Sequence, residues 1–162
     1  MAFIALGAAI SSADTALVPM GDSKTDETKL KKHKPVKCTA TKDVVLDGVI
    51  IEAKGPAATL MGACDITIKN SVIRTSETAI QLMGSGDIIL SNTTVETKGT
   101  AVSLAGSGDV QVTDSRISGK VAVSIDGSGD LVATNSQFRG KKVIRGTGEY
   151  QDKGGNKWEK KK

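Results

Sequence analysis

At 162 residues the chain has the size of one domain. Aromatic residues make up only 2% while glycine contributes 18 positions, which excludes a globular core built on buried rings and suits a thin interior of Val, Ile, Leu and Ala. The net charge of +4 sits entirely on the ends: residues 38–148 carry 11 Lys/Arg against 11 Asp/Glu, whereas residues 1–37 carry 6 against 4 and residues 149–162 carry 5 against 3. A neutral middle with no interleaved aromatics argues against a specific nucleic-acid partner.

Residues 1–37 read as an N-terminal extension. Its first part, through Phe3, Ile4, Leu6 and Ile10, is apolar and ends in the small residues Ser11-Ser12-Ala13. Two readings fit it. One is the end of a secretory signal, although the basic n-region is missing. The other is an apolar helix over residues 2–17 that docks on its own solenoid or on a neighbour. Either way the stretch is too short for a transmembrane span. Residues 24–37 form a basic linker around Lys29-Leu-Lys-Lys-His-Lys-Pro-Val-Lys37. The lone His33 has no second histidine and no spaced ligand set, so neither a metal site nor a cofactor is expected. A solvated linker is the plain account of the lysines. Contact with a polyanion or an anionic polysaccharide is the second.

From residue 38 to residue 148 the chain repeats itself. Asp43, Asp65, Asp87, Asp109 and Asp130 open successive segments spaced 22, 22, 22 and 21 residues apart. Three segments close on Gly-Ser-Gly, at residues 84–86, 106–108 and 127–129, and the first closes on Gly62-Ala63-Cys64. An internal period of this length outranks other sequence signals and means stacked coils. Counted from each aspartate, the second position reads Val44, Ile66, Ile88, Val110, Leu131 and the fourth Leu46, Ile68, Leu90, Val112, Ala133. The ninth reads Ile51, Ile73, Val95, Ile117, Phe138, and a further column reads Ala58, Ile80, Val102, Val123, Ile144. Apolar residues two apart, recurring in every coil, are the inward face of short strands. Three such strands per coil predict an all-β, right-handed parallel β-helix of about five coils, with the hand taken from the general rule for parallel crossovers.

The corners carry their own pattern. Asn70, Asn92, Asp114 and Asn135 form a turn ladder, since these residues tolerate the left-handed backbone of a tight corner and their amides stack along the axis. The aspartates read as turn residues accepting a local N–H. One carboxylate per coil supplies too few oxygens for calcium. Cys38 and Cys64, about one coil apart, are expected to form a disulfide staple across the first rung, which suits an oxidising compartment. Tyr150 and Trp158, in the segment 149–162, are expected to cap the last coil ahead of a Lys-rich tail.

These columns, the Asn corner and the parallel coils resemble the pectate-lyase-like right-handed β-helix superfold. The cysteine pair and the Gly-Ser-Gly corners are more narrowly similar to small exported β-helix proteins of bacteria such as myxobacteria. Bactofilins, whose β-helices polymerise end to end, are also similar, but their coils are shorter and a cysteine pair does not suit a cytoplasmic cytoskeleton. Enzymes of the superfold gather acids and a base beside a groove built from protruding loops. The coils here are of nearly constant length, so no catalytic residues are assigned. Apolar residues recur in outward columns: Val45, Ile89 and Val132 in one, Ile50 and Val72 in another. Aligned apolar surface points to an interface. The expected function is therefore non-enzymatic: a secreted or cell-surface subunit that self-assembles, docking Phe3, Ile4, Leu6 and Ile10 against a neighbour's Val45 and Ile89. A surface protein binding carbohydrate or polyanion through basic tails is the alternative. A vestigial polysaccharide-active enzyme is the third.

Overall fold

The computed structural model describes residues 25–160. They form a parallel β-solenoid of about six turns with three faces. The first face is a six-stranded sheet of Val44–Asp47, Ile66–Lys69, Ile88–Ser91, Val110–Thr113, Leu131–Thr134 and Tyr150–Asp152. The second runs from Lys31–Lys32 through Val49–Ala53, Val72–Thr75 and Thr94–Thr97 to Lys157–Glu159. The third comprises Val36–Cys38, Ala58–Leu60, Ile80–Leu82 and Thr100–Leu104. Two long strands, Arg116–Ile125 and Gln137–Ile144, round the corner and belong to both the second and third faces, which joins these into one 11-stranded sheet. The apolar columns predicted from the repeat fill the interior: Ile66, Ile68, Ile73, Ile80, Ile88 and Leu90 are among many with no exposed surface.

The strands reach beyond residues 38–148 on both sides. Within the stretch expected to be a linker, Lys31–Lys32 pairs with Val49–Ala53, and Val36–Cys38 pairs with Ala58–Leu60. Within the stretch expected to be a cap and tail, Tyr150–Asp152 pairs with Leu131–Thr134 and Lys157–Glu159 pairs with the start of Gln137–Ile144. One inward column also needs correction. Val123 is in register with Lys142, while Ile144 aligns with Ile125 and is 45% exposed. The cause is the corner. Two places known to be in register, Glu52 with Arg139's column and Ala58 with Lys142's, are separated by a long corner in the first coil but by only Gly140 and Lys141 in the last. Gly140, at φ +138°, lets the chain turn in so few residues.

Polar ladders hold the coils in register. Asn70, Asn92, Asp114 and Asn135 all have φ between +47° and +49°, and Gly48 occupies the same corner at +64°. Their amides bond from coil to coil: Asn70 Nδ2 donates to Asp47 Oδ1 at 2.8 Å and Asn92 Nδ2 to Asn70 Oδ1 at 2.8 Å. Beside them Ser71, Ser115 and Ser136 are buried, and their hydroxyls accept the backbone N–H of Val49, Thr93 and Ser115 at 3.1 Å. The aspartates differ from the sequence expectation. Each carboxylate accepts the N–H one coil on: Asp65 N donates to Asp43, Asp87 N to Asp65, Asp109 N to Asp87 and Asp130 N to Asp109, at 2.8–2.9 Å. They are axial rivets rather than local turn formers.

Candidate functional site

Three places carry features beyond the repeating ladders. The first is the outward side of the first face. Val45 is the most exposed large apolar residue there, at 67%, and Ile89 is half-buried. In register their column reads Val45, Thr67, Ile89, Gln111, Val132, Gln151, so apolar residues occupy alternate rungs rather than a continuous stripe. The second expected column does not present two apolar residues: Val72 is buried, next to the segment that Glu27 ties to this face. Phe3, Ile4, Leu6 and Ile10, the expected docking residues, lie outside the described residues.

The second place is an ionic clasp on the second face. Glu27 sits in a one-turn 3₁₀ helix, Glu27–Lys29, capped by Asp26, whose carboxylate accepts the Thr28 N–H at 3.2 Å. Arg74 reaches this turn with both terminal nitrogens, Nη2 to Glu27 Oε1 at 2.5 Å and Nη1 to Oε2 at 3.1 Å, while its Nε donates to Glu96 Oε2 at 3.2 Å. Glu96 stands in register with Arg74 on the neighbouring strand, one repeat on. Glu27 lies outside the repeat, and no periodicity could have found it. The Arg74 guanidinium holds the Glu27 carboxyl below the usual carboxylate range. A depressed carboxylate contributes stability above its unfolded value, lost as pH falls through its folded value. Acidification should therefore release the strap. The protection of the Lys31 and His33 amides, whose N–H groups donate to Gly48 and Ile50, should fall at low pH, so that they exchange as fast as the intrinsic rate at that pH allows. A Glu27→Gln variant should show the fast exchange already at neutral pH; equal protection in both proteins would mean the clasp holds nothing.

The third place is the C-terminal end. Phe138 is fully buried and stacks on Trp158, with ring centroids 4.6 Å apart and planes 13° apart. Tyr150 packs edge-on against both rings, and Trp158 Nε1 donates to its hydroxyl at 3.2 Å. Tyr150 and Trp158 are thus the last inward residues of the first two faces, and burial pushes the Tyr150 phenol up. Lys142 ends the third column, with Nζ 4.4 Å from the Tyr150 centroid and 5.3 Å from that of Trp158, a cation–π arrangement. Beside it opens a groove of about 800 Å³ whose lining includes Lys120, Lys141, Lys142, Trp158 and Lys160 together with one carboxylate, Glu159, which pairs with Arg139 at 3.2 Å.

Asp109, Asp114 and Asp126 are held in structural bonds. Asp109 accepts Asp130 N, Asp114 accepts Asn135 Nδ2, and Asp126 accepts Ser124 Oγ at 2.8 Å and faces Arg145 at 3.6 Å. Cys38 and Cys64 form a disulfide with Cα atoms 6.4 Å apart. Among the described residues no helix is long and apolar enough to cross a membrane, and no group of three His, Cys, Asp or Glu converges as metal ligands.

A parallel solenoid with three faces and axial Asn and Asp ladders defines the class. The chain belongs to the right-handed β-helix family, whose description, right handed beta helix region, it matches over residues 36–157. No curated protein and no solved structure matches it.

Proposed function

We propose that this chain is an exported, non-enzymatic structural protein of bacterial type, a β-solenoid subunit that self-assembles sideways into a filament, tube or surface layer. The N-terminal extension with Phe3, Ile4, Leu6 and Ile10 docks on a neighbour's face around Val45 and Ile89. The observation that carries this reading is Val45, an aliphatic residue 67% exposed on an otherwise regular sheet face. Charge favours the lateral direction. The N-terminal end exposes Lys31, Lys32, Lys34 and Lys37 and the C-terminal end exposes Lys141, Lys142, Lys157 and Lys160, so stacking end on end would oppose like charges. A disulfide suits an oxidising, extracellular setting. The same lysines support the second reading, a surface protein that binds polyanion or carbohydrate.

Electron microscopy and sedimentation of the full chain test the proposal. Ordered assemblies are expected, lost when Val45→Lys and Ile89→Lys are combined or when residues 1–17 are deleted. Dispersed monomers in native material whose N-terminus follows Ala13 would sink it and move the search to ligands of the lysines.

A further inference from the structure

We propose that the third face is a homodimer interface, on which two copies of the chain pack antiparallel with Met61 of each over the partner's Met83. This face lacks charge through its first coils. Residues 56–64, 78–86 and 99–108, which carry it through three successive coils, hold no Asp, Glu, Lys or Arg in a chain that is 25% charged. Over the same coils the first face presents Asp47 and Lys69, and the second presents Glu52, Arg74 and Glu96. Thr59, Gln81 and Ser103 stand in register down the middle of the third face. Beside them run Met61, Met83 and Ala105, each joined to the coil before by a backbone bond of 2.8 Å. Met61 is 47% exposed and Met83 41%, so adjacent coils hold two large apolar side chains in contact with water.

The centre of a protein interface is depleted of charge and enriched in methionine, with a polar rim around it. Methionine suits such a place because its unbranched chain adapts to an opposing surface. The rim is present here. Lys54, Glu77 and Lys98 are exposed along the corner that leads into the face, and Lys37 and Asp126 bound its two ends. Charge also selects the occupant and its direction. A twofold axis parallel to the strands, passing between the first two of these coils, sets Met61 over the partner's Met83 and Gln81 over the partner's Thr59. It also brings Lys54 beside the partner's Glu77, and symmetry makes every one of these contacts twice. Rods packed in the same direction would instead set Lys141 against the partner's Arg145, two like charges at each of two places. The antiparallel overlap leaves Lys141 and Arg145 outside it.

The size of the face sets the strength of the contact. Four overlapping coils about 4.8 Å apart, each crossing the face with some six residues at about 3.3 Å, give roughly 350 Å² per copy. That is under half of the ~800 Å² per partner of a standard interface, so the dimer is a weak one. It gains weight when another contact already holds copies together. A heterologous contact through the first face extends a row of subunits, and a twofold contact through the third face joins two rows back to back.

Sedimentation equilibrium of the full chain carrying Val45→Lys and Ile89→Lys isolates this contact, because those substitutions remove the first-face one. A reversible dimer is expected, with a dissociation constant on the order of 0.1–1 mM. Adding Met83→Lys should weaken it about tenfold or more, since a charge then enters the uncharged centre. Lys54→Glu should weaken it about fivefold, and Glu77→Lys in the same chain should restore it, because the twofold exchanges both members of the pair. These are outward positions, so the fold is not at stake. A second readout needs no substitution on this face: with ¹³C-methyl methionine, the Met61 and Met83 signals should shift as concentration rises. A monomer up to about 2 mM, or a dimer indifferent to Met83→Lys, would overturn the proposal. Failure of Glu77→Lys to rescue Lys54→Glu would overturn the antiparallel register. A dimer that forms only after residues 1–17 are deleted would assign the face to the chain's own N-terminal segment instead. The first-face contact is absent from this measurement, so either proposal can fail without the other.

Discussion

Phe138→Ala should cost about 3–5 kcal/mol, the range for emptying a buried phenylalanine site, and should loosen the C-terminal end before the rest of the rod. Phe138 has no exposed surface and stands in the inward column between Ile117 and Trp158. It is the platform for both capping rings, stacked on one and edge-on to the other. Aromatic pairs of this geometry add about 0.5–1.5 kcal/mol each beyond their area, so truncation removes two such contacts along with the packing. In a solenoid each coil is stabilised mainly by its neighbours, which confines the damage to Tyr150–Asp152 and Lys157–Glu159. Urea unfolding followed by Trp158 emission should shift to lower denaturant far more than unfolding followed by far-ultraviolet circular dichroism. Equal shifts would mean that cap and body unfold as one unit. The chain has a single tyrosine, which gives a second readout. Its phenol, now raised by burial, should titrate closer to the ordinary value in the variant.

Particular residues show how far the sequence could be read. Ile66, Ile68, Ile73 and Phe138 were assignable to the interior because a two-residue alternation recurring every 21 or 22 residues admits little else. Asn70, Asn92, Asp114 and Asn135 were assignable to tight corners because few other residues adopt a positive φ. Ile144 was misplaced by two residues because a shortened corner leaves the ladders intact while breaking the count. The Gly-Ser-Gly signature was legible as a corner but its cause was not. A β-carbon on Gly108 would lie 2.0 Å from the Gly86 carbonyl oxygen, so these glycines are required by the contact between coils rather than by the turn itself. The axial role of the aspartates depends on that same stacking distance. Glu27 and the Lys142 groove were hidden for a different reason. A clasp from outside the repeat and a groove beside a shortened corner both depend on where the chain passes in space, which no column of the repeat records.

Replacing both Cys38 and Cys64 by serine should cost roughly 3 kcal/mol on the chain-entropy estimate for a closed loop of this size, and the loss should appear at the N-terminal end. Cys38 heads one inward column of the third face, followed by Leu60 and Leu82. Cys64 stands where Gly86, Gly108 and Gly129 stand in later coils. In those coils the glycine is needed because the preceding corner presses against it. At the first corner the chain arrives from the loop after Cys38, and there a side chain fits; both cysteines are buried. The bridge, across a sequence separation of 26, thus fastens the first turn to the second where no earlier coil can do so. Amide exchange should rise at Val36 and Met61, whose N–H groups donate to Ala57 and Cys38, while Ile88, Val110 and Leu131 keep their protection. Reduction of the wild-type chain should reproduce the pattern without any substitution. Uniform loss of protection along the rod would show that the staple governs the whole solenoid, and the nearest-neighbour account of both ends would have to be abandoned.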